Sequence, residues 1–154
     1  MPLSSIFLFK DLPEPCLKKI ADTAQKTRIK KGIWLFHEGD SADRFYALEK
    51  GAVELSTRID DDFDLPVTII RNAGGCFGIS ALVPPYQYSL SSRCAEDADL
   101  IEFRRDNIER LSAEDQTLGC TIMTNLSQYL LERLKETRQD LKNHFKTLFQ
   151  STQT

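Results

Sequence analysis

The stretch Gly74-Gly75-Cys76-Phe77-Gly78-Ile79-Ser80-Ala81-Leu82 holds the residues whose types and spacing could do chemistry. Two turn glycines lead into a short strand, and Gly78 then opens what reads as one helical turn. A glycine has no Cβ, so its backbone can come close to a ligand. A helical turn that starts there presents unpaired N–H groups and the positive end of a dipole. That combination suits an anion; the same residues also fit an ordinary turn at a strand end.

Other chemistries find little in the chain. His37 and His144 are the only histidines, and neither has a cysteine or carboxylate at ligand spacing, so no metal is expected. Cys16, Cys76, Cys94 and Cys120 show no Cys-x-x-Cys spacing and are expected to be free, buried thiols. The run Asp60-Asp61-Asp62-Phe63-Asp64 would need Gly and Glu where Leu65 and Arg71 stand to be a calcium loop, and reads as a solvated hairpin tip. There is no Gly-x-Ser-x-Gly elbow, no His-Glu-x-x-His and no phosphate loop, so the chain is not expected to be an enzyme.

The elements that must position the glycine stretch follow from periodicity. A first helix is predicted from Pro13 to Gln25, with Leu17, Ile20, Ala21 and Ala24 as its apolar stripe. From Thr27 the period changes to two. Short strands are predicted at 28–30, 33–37, 45–48 and 52–59, and at 67–70 behind Pro66. The glycine stretch follows, and then strands at 88–95 and 98–104. About eight short strands with turn residues between them argue a mainly β jelly roll closed on itself.

After Arg104 the pattern is helical. A short helix covers 106–111, and a long one begins at Ser112 or Ala113 with Glu114 and Asp115 in its first turn. It continues to about Phe149. Leu134, Leu141 and Leu148 recur every seven residues, behind Leu130 and Leu131. That spacing points to a partner helix, most simply the same helix of a second chain, although the companion positions Thr137, Arg138 and His144 are polar. Residues 1–112 are thus expected to form a roll with flanking helices, and 113–154 a lid or dimerisation helix of the same domain.

The 154 residues suffice for one domain with its own core, and a net charge of −3 argues against a general nucleic-acid-binding field. The N-terminal residues lack the basic start of a signal peptide, and no stretch reaches the length of a membrane span, so a cytoplasmic location and no membrane contact are expected.

The order of helix, eight-stranded roll, short helix and long helix resembles the cyclic-nucleotide-binding domain family. Residues 36–54, Phe36-His37-Glu38-Gly39-Asp40-Ser41-Ala42-Asp43-Arg44-Phe45-Tyr46-Ala47-Leu48-Glu49-Lys50-Gly51-Ala52-Val53-Glu54, look like its long signature, with F-x-E-G-D, F-Y-x-L and x-G-x-V-E in place. Gly74 to Gly78 are similar to the lead into its phosphate-binding cassette. The resemblance covers about residues 8–140. It implies a rigid basket that holds a cyclic nucleotide, cyclic AMP or cyclic GMP, under a closing C-terminal helix. It places Gly78, Ile79, Ser80, Ala81, Leu82, Ser89, Leu90 and Ser91 at the ligand.

Both polar anchors of that family differ here. The glutamate that holds the ribose 2′-hydroxyl is replaced by Ile79, and the arginine that pairs with the phosphate by Ser89. Backbone N–H groups at 79 to 81 and the hydroxyls of Ser89, Ser91 and Ser92 remain, and Arg71 or Arg93 is a candidate substitute cation. No resident cofactor is expected. The chain runs to Thr154 without a helix-turn-helix pattern after the long helix, so direct DNA reading is not expected. Two functions follow. One is a sensor of a small anionic ligand that signals through its C-terminal helix to an effector protein. The other is a degenerate domain that has lost its nucleotide and serves protein interaction or dimerisation.

Overall fold

The computed structural model describes residues 1–152; Gln153 and Thr154, the last residues of the expected lid segment, lie outside the described residues. Two 3-10 turns, Leu3–Ser5 and Phe7–Phe9, precede α1, Glu14–Thr23. This helix is shorter at both ends than its predicted span. Pro13 is its extended N-cap and Pro15 lies in the first turn, where a missing N–H leaves no bond unmade. Cys16, Leu17 and Ile20 are buried, whereas Ala21 of the expected stripe is exposed.

Eight strands follow: β1 Gln25–Ile29, β2 Trp34–Phe36, β3 Arg44–Lys50, β4 Val53–Asp60, β5 Phe63–Ile70, β6 Cys76–Phe77, β7 Ser91–Cys94 and β8 Ala98–Arg104. They form two four-stranded sheets, β1-β8-β3-β6 and β2-β7-β4-β5, with antiparallel pairing throughout. The predicted jelly roll is therefore the observed fold. Phe9, Phe45, Phe77 and Phe103 are its largest fully buried side chains. The Phe103 ring meets Phe9 edge-on at 5.0 Å and stacks on Phe45 at 5.1 Å, which joins the N-terminal turn to the roll.

Two strand boundaries move for identifiable reasons. β5 starts at Phe63, inside the run read as a loop, and passes through Pro66. Only β4 pairs with it, so the proline sits in an edge strand, and the register slips between Leu55–Thr68 and Ser56–Pro66. β7 starts at Ser91 rather than Tyr88. The Tyr88 backbone bonds instead to the turn after β2: its N–H donates to Asp40 O at 2.9 Å and its O accepts from Gly39 N at 2.8 Å.

The first C-terminal helix, α2, runs Arg105–Glu114 and thus takes in Ser112, Ala113 and Glu114, which were expected to open the next helix. The break is at Asp115, whose extended backbone (φ −142°, ψ 97°) stops α2. Its Oδ1 accepts from the N–H groups of Thr117 and Leu118 at 3.1 and 3.3 Å and so caps α3, Gln116–Thr152. The Leu118 and Thr117 bonds, together with the Cys16 thiol at 3.4 Å, hold the Asp115 carboxyl below its usual range. α3 is one piece of 37 residues, about 55 Å at 1.5 Å per residue.

Only the near half of α3 packs on the roll, through Leu118, Ile122, Asn125 and Leu126. Asn125 is buried, and its Nδ2 donates to Leu8 O at 3.0 Å and Lys10 O at 2.8 Å. This amide ties α3 to the N-terminal turn. Asn125→Ala is expected to cost about 2–4 kcal/mol, because it strands two carbonyls that the wild-type side chain satisfies. A urea midpoint measured at unchanged slope checks this; a loss below about 1 kcal/mol would show that water replaces the amide.

Candidate functional site

The glycine stretch lies where β6 ends. Gly78 adopts φ +75°, a left-handed conformation, and the 3-10 turn Ile79–Leu82 follows as predicted. Packing adds a further reason for a glycine here. A Cβ here would stand 3.3 Å from the Phe36 ring and 3.4 Å from the Tyr88 ring. Those two rings stack face to face at 3.7 Å. Gly78 thus makes room for an aromatic floor as well as for the turn. The Tyr88 hydroxyl donates to Arg44 O at 2.7 Å, and burial pushes its pKa up to about 12.

A cleft of about 340 Å³ opens above this floor. The roll contributes Phe36, Leu55, Val67, Thr68 and Phe77, the cassette residues Gly78, Ile79 and Ser80, and Tyr88, Ser89 and Leu90. The opposite wall is α3, through Tyr129, Leu130, Arg133, Glu136, Thr137 and Asp140. Ser80 Oγ and Ser89 Oγ lie 3.3 Å apart, so the turn and the loop before β7 meet as a hydroxyl pair. Gly78, Ile79, Ser80, Ser89 and Leu90 of the expected site are therefore gathered at one cleft.

The other expected residues face elsewhere. Ala81 and Leu82 are buried in the core, and the Ala81 N–H donates to Gly78 O at 3.1 Å, which leaves Ile79 and Ser80 as the turn's open donors among the described residues. Ser91 is buried, and its Oγ accepts from Glu38 N at 2.9 Å. Ser92 is fully buried, with no partner for its hydroxyl among the described residues. Both residues already stand in the β7–β4 ladder, Ser91 opposite Ser56 and Ser92 opposite Leu55, and Ser89 and Leu90, before the ladder begins, line the cleft. On the far side of the turn, Arg105 donates to Ala42 O and to Ala81 O at 3.5 Å and lies 4.0 Å over the Tyr86 ring, which pins the cassette to α2.

Neither candidate substitute arginine reaches the cassette cleft. Arg71 pairs with Glu96 at 3.3 Å, and Arg93 lies 5.5 Å over the Trp34 ring. Among the described residues lining the cleft, the only cation is Arg133. It rests 4.9 Å over the Tyr129 ring and pairs with Glu136 at 2.9 Å. Partial burial works against its charge, but Tyr129 and Glu136 outweigh that and hold its pKa above the ordinary value. Nothing local in the sequence singles out Arg133: it is one of many charged residues on a helix, and only the docking of α3 gives it a role at the cleft. His37 stacks on Trp34 at 5.0 Å on the outside of the roll. Cys16, Cys76 and Cys94 are buried free thiols as expected, and burial pushes Cys76 up to about 12; Cys120 is exposed, contrary to expectation.

The sequence profile of the cyclic nucleotide-binding domain matches residues 26–115. Over 80 residues the chain is 31% identical to the cGMP-dependent protein kinase, isozyme 2 forms cD5/T2, of Drosophila melanogaster; the match covers 52% of this chain and 9% of that protein. A cyclic nucleotide-binding domain from Methylobacillus flagellatus KT superposes with a TM-score of 0.75 at 22% identity, over 87% of this chain and 75% of that one. The regulatory domain of Toxoplasma gondii PKA, in a structure with cAMP, superposes with a TM-score of 0.65 at 26% identity, over 71% of this chain and 41% of that one. The two-sheet roll with its glycine cassette, flanking helices and covering profile leads to one conclusion: the chain belongs to the cyclic nucleotide-binding domain family.

Proposed function

We propose that this regulatory domain senses a small anionic ligand in the cleft between the cassette and α3 and signals through the position of α3. One observation carries the reading. The cleft has two walls on separate elements, Ile79, Ser80 and Ser89 on the roll and Tyr129, Leu130 and Arg133 on the helix. An occupant must touch both, so it binds the closed arrangement more tightly than one in which α3 has moved away. Differential affinity of that kind is what shifts a conformational equilibrium. The domain is a non-enzymatic regulatory module in this reading; the kinase relatives are larger proteins of which it matches a part.

The ligand expected first is cyclic AMP or cyclic GMP, as the names of the relatives suggest. Isothermal titration with each nucleotide tests this, with light scattering for mass. Heat that saturates in the micromolar range supports the sensor. No heat and no thermal shift at millimolar nucleotide would overturn ordinary cyclic-nucleotide sensing.

A second reading, an interaction module without nucleotide, draws on the far half of α3. Leu131, Leu134, Leu141, Phe145 and Leu148 lie on one face of the helix and are each about half exposed. Arg138 interrupts the seam, as a single polar core position does in a register-specific coiled coil. A second copy of α3 fits this face. A dimer mass without any nucleotide binding would select this reading. A dimer that does bind nucleotide would combine both. Among the described residues no helix is long and apolar enough to cross a membrane.

A further inference from the structure

We propose that Arg133, carried on α3, supplies the positive charge that the cassette lacks, and that the cleft selects an aromatic monoanion. The inference rests on the ligand-sensing reading above and names the class of ligand and the residue that recognises it.

The roll wall has no charge to offer. Its polar groups in the cleft are the Ser80–Ser89 hydroxyl pair, Thr68 and the turn's N–H groups. Arg133 sits at a partition: together with Thr68, Ile79 and Tyr129 it also lines a neighbouring cavity of about 300 Å³ under the N-terminal turn. Tyr129 fixes the guanidinium from below at 4.9 Å and is itself backed by the Phe7 ring at 6.4 Å. One Nη meets Glu136 at 2.9 Å, which leaves further N–H donors of the planar group for an oxyanion.

Charge count sets the class. Glu136 and Asp140 line the same helix wall. The wall sums to −1, so no general field draws anions in; Arg133 can meet one oxyanion by direct charge-assisted hydrogen bonds, and each further negative charge would face Glu136 and Asp140 uncompensated. The rest of the wall sets the body. Phe36, Leu55, Phe77, Ile79 and Leu90 offer flat and aliphatic surface, and Ile79 removes the acceptor that a sugar hydroxyl would use. A ligand whose charge lies on α3 while its body lies on the roll bridges the two walls, so recognition and the movement of α3 become one event.

The test uses 8-anilinonaphthalene-1-sulfonate, an aromatic monoanion, and its neutral relative N-phenyl-1-naphthylamine, each titrated by fluorescence into the full chain. Arg133→Gln is expected to weaken the sulfonate about 10- to 100-fold, the loss of a charge-assisted hydrogen bond, and to leave the neutral probe within about twofold. Arg133→Lys, which keeps the charge and loses the planar fork, is expected to recover part of the sulfonate binding. Ser89→Trp, which fills the cleft and keeps Arg133, is expected to abolish both signals. Equal loss of both probes in Arg133→Gln, or unchanged sulfonate binding there, overturns the proposal. So does a sulfonate signal that survives Ser89→Trp, since the probe would then lie on the exposed face of α3. Cyclic AMP is titrated into the same variants. Nucleotide binding that is unaffected by Arg133→Gln removes the role of Arg133 and leaves the sensor reading standing. Failure of wild type to bind nucleotide or either probe removes both.

Discussion

Replacing Ile79 by glutamate and Ser89 by arginine together is expected to tighten cyclic AMP binding about a hundredfold to ten-thousandfold over the wild-type chain. The resemblance assigns a glutamate at the first position to the ribose 2′-hydroxyl and an arginine at the second to the phosphate. Both positions line the same cleft, on the turn and on the loop that meets it through the Ser80–Ser89 contact. A hydrogen bond to a charged group contributes about 1.5–3 kcal/mol, and each 1.4 kcal/mol is about tenfold in affinity. Two such bonds account for the range. Paired calorimetric titrations of wild type, both single variants and the double variant read the effect and its additivity. A double variant that binds no better than wild type would show that nucleotide does not lie against the cassette in this domain.

Gly51→Ala is expected to be among the most destabilising single substitutions in the roll, at about 2–6 kcal/mol. Gly51 stands at φ +102° between β3 and β4, a region that costs a residue with a Cβ about 1–3 kcal/mol. The added Cβ would also stand 2.3 Å from Asp97 O and 2.8 Å from Ala98 Cα, both backbone atoms that cannot swing aside. Overpacking of that kind adds about 1–3 kcal/mol. Gly39→Ala is the control: φ is +90° there, nothing lies within 4 Å, and about 1–2 kcal/mol is expected. Chemical denaturation compares the two. Equal losses would show that the turn opens to accommodate the new methyl group.

The contrast between these two predictions marks what the motif residues do. The long signature at 36–54 serves the fold: Phe36, which forms the aromatic floor with Tyr88, stacks on Tyr46 beneath it, Gly51 passes under the Asp97 carbonyl, and Ala42, Phe45, Ala47 and Leu48 are fully buried. An intact signature therefore argues for the roll and leaves the ligand open. Ile79 and Ser89 line the cleft, at positions where the resemblance implies a glutamate and an arginine.

The misplaced boundaries have a common origin. Phe63 and Asp64 looked like part of an acidic loop because Asp and Asn-type residues favour turns, yet pairing with β4 draws them into β5. Ser112 looked like a helix start because serine caps helices, yet its Oγ donates to Ile108 O at 2.7 Å inside α2, and Asp115 does the capping. Tyr88 to Leu90 looked like strand, yet the Asp40–Tyr88 bonds hold them off the ladder and leave Ser89 and Leu90 facing the cleft. In each case a specific hydrogen-bonded partner, far along the chain for Tyr88 but a near neighbour in sequence for Phe63, Asp64 and Ser112, outbid a local preference of about 1 kcal/mol.

What the sequence by itself determined is the set of local choices: period-two strands, turn glycines, a glycine-led cassette and a long amphipathic helix. Those follow from steric and hydrophobic patterns between near neighbours, and they were enough to specify the roll, the order of its elements and the family it belongs to. Only the tertiary structure decided which cassette residues line a cleft, where α3 docks, and that Arg133 is the cation facing the cassette. The physical reason is distance along the chain. Asn125 bonds to carbonyls 117 and 115 residues away, and that docking alone brings a surface-type arginine against a turn about fifty residues before it. A charged residue on a helix carries no local mark of such a role, because its energy depends on what is packed opposite and not on its neighbours in sequence.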